Sequence, residues 1–187
     1  MSRLIQLFHH QGIIHSLDQQ LATRLGRIGA ETDEAVLLAT ALASRAPRYG
    51  HICVDLDSIS RRLVPSDPEC ELPWPEPSAW LHALRASPLV RDRDSPKTTP
   101  LVLDRRRLYL DRYWCYQKRL AEQLAARACV FTEIDDPNRL RASLNRLFPS
   151  SDGQSLDRQR LAALVASVRR LTLITGGPGT GKTTTVA

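Results

Sequence analysis

An early segment of the chain has the period of amphipathic helices. Between residues 17 and 45, apolar side chains recur every three or four positions, which predicts two packed helices. These apolar residues are Leu17, Leu21, Leu25, Ile28, Ala35, Leu38, Ala39 and Leu42. Gly29 and Ala30 interrupt the pattern, and Thr32 and Asp33 are candidate caps for the second helix.

Short apolar runs and helical patterns alternate over the next hundred residues. Predicted strands are 50–56, 89–90, 100–103 and 108–110, of which the last three form a small antiparallel ribbon. Predicted helices are 58–63, 78–86, 111–128 and 138–147, and Ser78 and Asp136 are the candidate caps of the second and last. Five prolines between Pro65 and Pro77 predict a surface loop.

The pattern changes after residue 149, where a turn-rich stretch predicts a linker. Beyond it, Ser155 is the candidate cap of a helix over 156–169, and a β-rich run follows at 171–175. We therefore predict an α-rich α+β domain over 1–149. The start of an α/β domain over 150–187 is predicted to follow it.

One motif carries recognisable chemistry. Residues Gly176 to Thr183 satisfy G-x-x-x-x-G-K-[ST] between a predicted strand and a predicted helix. Glycines let backbone N–H groups converge on phosphates. Lys182 would contact the β- and γ-phosphates, and Thr183 would offer its hydroxyl to Mg²⁺. The motif thus predicts a Walker A loop that binds ATP and Mg²⁺ through Gly176, Gly177, Pro178, Gly179, Thr180, Gly181, Lys182 and Thr183.

Hydrolysis requires more than this loop. An acid for the metal, a residue that positions water and an arginine finger are normally needed, and we expect all of them beyond Ala187. The nucleotide-binding domain is therefore expected to be truncated here and the chain alone to be inactive. A non-catalytic interaction module and an unrelated P-loop enzyme of the AAA+ or kinase type remain open alternatives.

Composition and charge add limits rather than identity. Hydrophobic residues make up 42% and charged residues 25%, typical of a globular protein. No membrane span or signal peptide is predicted, so we expect a cytoplasmic protein. The four cysteines lack C-x-x-C spacing and are expected to be reduced. A net charge of +6 suits an acidic partner, although the strong preference for arginine over lysine has no functional weight.

The sequence of the loop, Leu173-Ile174-Thr175-Gly176-Gly177-Pro178-Gly179-Thr180-Gly181-Lys182-Thr183-Thr184-Thr185-Val186, resembles helicase motif I of the RecD family, the α subunits of RecBCD exonuclease V. Residues 156–162 look like the Q-motif helix of superfamily 1 helicases, with Gln159 at the position of the adenine-reading glutamine. Residues 50–56 and 108–114 look like two stretches of the family's N-terminal domain. The resemblance spans most of the chain.

The resemblance implies a fold, a function and partners. The second domain would be the start of a RecA-like superfamily 1 helicase domain, and the intact protein an ATP-dependent 5′–3′ helicase in double-strand-break repair and recombination. Its Lys182 and Thr183 would be catalytic, and Gln159 and Thr184 would join the nucleotide contacts. Partners would be RecB-like and RecC-like subunits, with 1–149 docked on the latter, and single-stranded and duplex DNA ends.

Aromatic residues outside the loop have two interpretations each. Tyr113, Trp114 and Tyr116 lie beside basic residues, as in a stacking platform for single-stranded DNA. Their helical spacing favours core and partner contacts instead. Trp74 and Trp80 at the end of the proline-rich loop suit either a protein interface or packing of that loop.

Two clusters of charged or metal-binding residues complete the candidates. The run Arg105 to Arg107 lies at a predicted hairpin turn, where a solvated cluster is favoured slightly over an interface. His9, His10 and His15 have no acidic or cysteine partner close in sequence, so surface or packing roles are expected rather than a metal site.

Overall fold

The structure of the chain, a computed structural model, describes residues 2–67, 69–149 and 157–186. It divides into two compact units, which we call the N-terminal unit (Met1–Gln117) and the C-terminal unit (Lys118–Ala187). Within the described ranges, no helix has the length and apolar character needed to cross a bilayer.

Helices make up most of the N-terminal unit. They are α1 (Arg3–His10), α2 (Ser16–Ile28), α3 (Glu34–Arg45), a 3₁₀ helix (Ala46–Tyr49), α4 (Ile59–Arg62) and α5 (Pro77–Ala86). The helix pair predicted between residues 17 and 45 is confirmed as α2 and α3. Asp33 caps α3, because its carboxylate accepts hydrogen bonds from the N–H groups of Ala35 and Val36 at 2.8 and 3.3 Å.

The cap of α5 differs from the sequence prediction. Ser78 is predicted to cap this helix, but the Glu76 carboxylate does so by accepting from the Ala79 N–H at 2.8 Å. Pro77 fills the first helical position, where a missing N–H costs no hydrogen bond, so the cap lies one residue before it. Hydrogen bonds from Ser78 and then Ala79 lower the pKa of the Glu76 carboxyl below its usual value.

Short strands of the N-terminal unit form one mixed sheet. They are β1 (Cys53–Asp55), β2 (Val90–Asp92), β3 (Leu101–Asp104) and β4 (Arg107–Leu110), in the order β1-β4-β3-β2. β3 and β4 form an antiparallel hairpin, and β1 runs antiparallel to β4 with Val54 opposite Leu108. The turn between β3 and β4 places Arg105 at a φ of 57°.

β2 contradicts the prediction of a wholly antiparallel ribbon, since it runs parallel to β3. The guanidinium of Arg91 on β2 holds the loop that follows. One of its nitrogens donates to three carbonyl oxygens, those of Asp92, Arg93 and Ser95. Its other terminal nitrogen pairs with the Asp111 carboxylate at 2.7 Å. The loop after β2 therefore bends around the Arg91 side chain. The chain then returns to the sheet as β3, which runs in the same direction as β2.

The core of the N-terminal unit joins its helices to the sheet. Its largest fully buried side chains are Ile5, Phe8, Ile14, Val36, Leu38, Leu42, Trp80, Leu84, Leu101, Leu103, Leu108 and Tyr109. The Trp80 indole donates to the Ala35 carbonyl at 2.8 Å. Trp74 packs its ring edge-on against Phe8, with centroids 4.7 Å apart. Both tryptophans of the proline-rich loop region thus pack onto this unit, as one of the two interpretations predicts.

A buried ion pair accompanies this core. The Asp18 side chain is fully buried, pairs with Arg48 and accepts a hydrogen bond from the His15 N–H at 2.9 Å. Arg48 remains 34% exposed. The pair links the start of α2 to the 3₁₀ helix, and a charge in this position is stabilised by its partners rather than by water.

The C-terminal unit consists of helices joined by loops. α6 (Asp111–Ala128) begins in the N-terminal unit and continues into this one, followed by α7 (Pro137–Leu147), α8 (Arg158–Val168) and α9 (Lys182–Val186). Asp136 caps α7 as predicted, accepting from the N–H groups of Asn138 and Arg139 at 2.9 and 3.0 Å. A single bridge joins Phe131 to Arg169, and the Arg169 guanidinium lies over the Phe131 ring at 4.3 Å.

The stretch before the glycine-rich loop is predicted to contain a linker, a helix cap at Ser155 and a strand. The linker and its candidate cap Ser155 fall outside the described residues, so the domain boundary at 149/150 stays a prediction. Asp157 caps α8, since its carboxylate accepts from the Gln159 N–H at 2.9 Å. The strand predicted at 171–175 is wrong for the described chain: no described segment pairs with it, and a strand requires a hydrogen-bonding neighbour.

Candidate nucleotide-binding site

The glycine-rich loop connects an extended segment to the short helix α9. Gly179 and Gly181 adopt φ angles of 74° and 75°, which residues with a Cβ rarely adopt. A Cβ on Gly179 would meet no atom within 4 Å, whereas one on Gly181 would collide with the side-chain amide of Gln159. Position 181 therefore requires glycine for its φ, and a Cβ there would also displace the end of the Gln159 side chain. The backbone at 179 is open to a ligand.

The Lys182 side chain folds back over this loop. Its Nζ donates to the carbonyl oxygens of Gly176 and Gly177 at 2.8 and 2.6 Å and to the Thr180 hydroxyl at 3.4 Å. Among the described residues, no carboxylate forms an ion pair with it. A phosphate would be a stronger partner for the ammonium than these neutral oxygens, so the side chain fits an anion at this loop.

The threonines of α9 differ in what they contact. The Thr185 hydroxyl donates to the Gly181 carbonyl at 3.0 Å, which ties the helix to the loop. Thr183 and Thr184 are exposed in the first turn. No cluster of three or more metal-ligating side chains occurs in the part of the chain that the structure describes. A Mg²⁺ at Thr183 would thus depend on phosphate oxygens and water for most of its ligands.

Gln159 joins the loop to α8. Its side-chain amide donates to the Thr180 carbonyl at 3.4 Å and lies against Gly181. A cavity of about 420 Å³ opens between α8 and the loop, a volume within the range of small-molecule sites. Its walls include the apolar Leu161 and Val165 together with Gln159, Thr180 and Lys182. An apolar pocket beside a cationic loop can hold a flat ring and a phosphate chain at once.

The structure brings together part of the predicted nucleotide contacts. Two side chains meet at Thr180, where Gln159 donates to the carbonyl and Lys182 to the hydroxyl. Gly181 lies against Gln159 beside them. Gly176 and Gly177 contribute carbonyl oxygens to Lys182. The remaining predicted contacts are exposed at the edge, and they are Pro178, Gly179, Thr183 and Thr184.

The aromatic residues of α6 separate into packing and surface positions. Trp114 packs edge-on against Tyr109, with ring centroids 5.1 Å apart. Tyr116 is 59% exposed, and Leu120 and Leu124 continue its face at 58% and 40%. These three residues, which we call the α6 stripe, recur every four positions along the helix. Such an apolar face is typical of a surface that another protein segment covers.

The charged candidates of the N-terminal unit form ordinary surface contacts. Arg106 pairs with Asp57 at 2.6 Å, and both side chains are about half exposed. The His9 imidazole hydrogen-bonds to the Ser16 hydroxyl at 3.0 Å. No metal cluster includes the histidines within the described ranges. Burial raises the pKa of the Cys53 thiol, and this cysteine is free, as are Cys70, Cys115 and Cys129.

Sequence patterns did not indicate a second cavity, of about 570 Å³, in the N-terminal unit. Arg45, Arg62 and Arg107 line it, together with the exposed Tyr49. Of these, only Arg107 belongs to a cluster that is visible along the chain. The three arginines meet because α3, α4 and β4 converge there, which local spacing does not reveal.

Comparison with known proteins finds one family model and several relatives. Residues 10–109, more than half of the chain, match the model described as RecBCD enzyme subunit RecD, N-terminal domain. The chain is 43% identical over 186 residues to RecBCD enzyme subunit RecD of Mycobacterium tuberculosis strain H37Rv, covering 100% of the chain and 29% of that protein. The match to the same subunit of Mycolicibacterium smegmatis is 42% over 175 residues, covering 94% and 28%.

A more distant relative aligns over the same extent. RecBCD enzyme subunit RecD of Buchnera aphidicola subsp. Schizaphis graminum is 27% identical over 199 residues, covering 100% of the chain and 30% of that protein. The chain thus spans less than a third of the length of the relatives it matches. The glycine-rich loop lies outside the residues matched by the family model, although the alignment with the first of these relatives extends over it.

Proposed function

This chain belongs to the RecD family, as the match of its N-terminal domain shows, and from that premise we propose that it forms the N-terminal part of an ATP-dependent 5′–3′ DNA helicase subunit. The complete enzyme would be a RecBCD-type exonuclease V that acts in double-strand-break repair and recombination. The names of the relatives support this proposal, since each is a RecBCD enzyme subunit RecD.

One observation carries the nucleotide part of the proposal. Gln159 on α8 contacts Thr180 and Gly181, while Lys182 closes over the same loop from the other end. A helix upstream of the motif and the lysine within it therefore meet at one cavity. The glutamine contact is added to the lysine contacts within the loop, which supports a ligand-binding role rather than that of a simple turn.

The residues of the loop would divide the work of binding ATP and Mg²⁺. Lys182 would exchange its carbonyl partners for β- and γ-phosphate oxygens, and the backbone around Gly179 would donate N–H groups to the phosphates. Thr183 would offer its hydroxyl to Mg²⁺, and Gln159 would bind the adenine edge. Bound ATP-Mg would supply the phosphoanhydride bond whose hydrolysis drives movement along DNA.

On its own this chain would bind nucleotide weakly and hydrolyse it at a negligible rate. The cavity beside the loop contains no aspartate or glutamate among its described lining residues, and hydrolysis needs an acid for the metal and a residue that orients water. In the intact subunit other parts of the RecA-like domain would provide these groups. We propose that the intact enzyme acts in the bacterial cytoplasm, which contains the chromosome.

The family also leads us to propose assembly with RecB-like and RecC-like subunits, with residues 1–149 docked on the RecC-like subunit. A second candidate function is a non-catalytic interaction fragment that docks without ATP turnover. The α6 stripe favours it, because Tyr116, Leu120 and Leu124 expose an apolar face without a partner among the described residues. The complete complex would act on single-stranded and duplex DNA ends.

The experiment that separates the two candidates uses the charge of Lys182. We expect calorimetric titration of the chain with Mg-ATP to show weak binding that Lys182→Gln removes. Lys97→Gln makes the same change at an exposed site outside the cavity and should leave binding unchanged. In the reconstituted complex, Lys182→Gln should abolish ATP-driven unwinding and leave subunit assembly intact, whereas near-normal unwinding by this variant would disprove the helicase assignment.

A further inference from the structure

The cavity of about 570 Å³ in the N-terminal unit, which we call the arginine cavity, has no assigned role. It lies where the end of α3, the 3₁₀ helix, β1 and α4 meet the start of β4. Its lining includes the side chains of Arg45, Tyr49, Ser58, Arg62 and Arg107. All of them belong to one compact unit.

The charge of this cavity is strongly unbalanced. Three arginines line it, and none of the three forms an ion pair among the described residues. Asp55 is the one acidic residue in its described lining, and its carboxylate accepts a hydrogen bond from the Asp57 N–H at 3.1 Å. Three arginines against one carboxylate leave the lining with a net positive charge, so an anion bound among the arginines would be attracted by all three.

An aromatic ring lies directly beside these charges. The Arg45 guanidinium covers Tyr49 at 3.7 Å from the ring centroid, and its Nε donates to the Ile13 carbonyl at 2.7 Å. Tyr49 nevertheless remains 48% exposed. The guanidinium is therefore anchored against one face of the ring, while part of the tyrosine remains exposed to solvent.

Ser58 lines the same cavity, and its Oγ is closed to solvent and has no hydrogen-bond partner in the described part of the chain. Leaving such a group unsatisfied costs free energy, and buried hydroxyls normally have a partner. A ligand in the cavity would reach this hydroxyl only if the Ser58 side chain turned toward it.

We propose that the arginine cavity binds single-stranded DNA, with a phosphate among Arg45, Arg62 and Arg107 and a base against Tyr49. The volume suits a nucleotide-sized unit, guanidinium forks suit phosphate oxygens, and an exposed aromatic ring beside cations suits a base. An acidic protein segment would use the arginines but leave Tyr49 unexplained. The choice of DNA as occupant rests on the proposed function, whereas the anionic chemistry of the ligand does not.

The test measures fluorescence anisotropy of a labelled oligothymidylate with the full chain. Arg62→Gln combined with Arg107→Gln should weaken binding on the order of tenfold and reduce the slope of log K against log salt by about 0.7, the value for one phosphate of a single strand. Tyr49→Ala should weaken binding at least about fivefold. The matched control combines Arg139→Gln with Arg141→Gln, two exposed arginines of α7, and should stay within about twofold of the wild type.

Several outcomes would overturn the proposal. They are the absence of binding by the wild type, equal losses in both double variants, and competition by polyglutamate as strong as that by the oligonucleotide with Tyr49→Ala silent. The last result would identify an acidic protein segment as the occupant. Circular dichroism and urea unfolding of each variant verify the fold, which should persist because Arg62 and Arg107 are exposed.

The failure of this proposal is distinguishable from failure of the helicase assignment. Lys182→Gln should leave oligothymidylate binding unchanged, because the loop and the arginine cavity belong to different units. Loss of the Tyr49-dependent binding with Lys182-dependent ATP binding intact rejects only the DNA site. The converse result rejects only the nucleotide site.

Discussion

The N-terminal unit packs helices against a four-stranded sheet, whereas the C-terminal unit carries its glycine-rich loop on helices with little buried surface. Phe8, Val36 and Leu84 in the first are fully buried. Among the described hydrophobic residues of the second, Leu144 alone is buried, while Leu161 is 43% exposed. Apolar burial, the dominant favourable contribution to folding, is thus concentrated in the unit without a recognisable catalytic motif.

This difference shows that the geometry of a motif and the stability of a fold have separate physical origins. The loop keeps its shape through short-range contacts, in which Lys182 and Thr180 bond to oxygens within six residues of themselves. The N-terminal unit depends on contacts between residues far apart in sequence, such as Trp80 with Ala35. A local motif is recognisable in the sequence whether or not a core supports it.

The largest expected effect contrasts matched leucines in the two units. Leu84→Ala should lower the free energy of unfolding by about 2–5 kcal/mol, because it removes a fully buried side chain and leaves a cavity. Leu161→Ala should change it by only about 1 kcal/mol, since that side chain is 43% exposed. Urea unfolding followed by far-UV circular dichroism, which reports the helices of both units, measures both. Equal destabilisation by the two substitutions would contradict the contrast.

A smaller effect on stability distinguishes Arg48, which pairs with the buried Asp18, from Lys182, which has no ion pair among the described residues. Arg48→Met should destabilise the N-terminal unit by about 2–3 kcal/mol, because the fully buried Asp18 loses its counter-charge. This is below the range for wholly buried pairs since Arg48 is one-third exposed. Lys182→Gln should change the same unfolding free energy by less than about 0.5 kcal/mol.

Arg106→Met provides the matched control for Arg48→Met, because its pair with Asp57 is about half exposed on both sides. Its cost should not exceed about 1 kcal/mol. Chemical denaturation at neutral pH measures all three variants. If Arg106→Met costs as much as Arg48→Met, the burial of Asp18 is not the cause of the larger effect.

The smallest expected effect concerns the cap of α5 and depends on pH. Because the folded state lowers the pKa of the Glu76 carboxyl, its contribution is present above the pKa of the unfolded chain and is lost as pH falls through the lowered value. Glu76→Gln should therefore be destabilising at neutral pH and nearly silent at about pH 3. Urea midpoints at the two pH values test the sign, and a difference that grows on acidification would refute it.

Sequence reasoning succeeded where the determining contacts are local. Helical periodicity predicted α2 and α3, and Asp33 and Asp136 cap their helices as expected. Proline spacing predicted the loop that precedes α5. The cap of α5 was missed by two residues because a glutamate reached it as readily as a serine, with Pro77 between them.

Pairing between distant segments was less accessible from the sequence. The β3–β4 hairpin follows from adjacent runs, but the addition of Cys53–Asp55 to its edge and the parallel direction of β2 do not. The predicted strand at 171–175 has the composition of a strand and no partner in the described chain. Composition indicates the tendency to form a strand, whereas hydrogen bonding to a neighbour decides it.

The sequence by itself determined the family, helices α2 to α5 of the N-terminal unit and the glycine-rich motif, because each is visible in residues close together along the chain, whereas α1 was not predicted. Only the tertiary structure brought Arg45, Arg62 and Arg107 to one cavity and buried Asp18 beside Arg48. Such meetings depend on how helices and strands pack, and side-chain packing is fixed by contacts between residues separated by tens of positions.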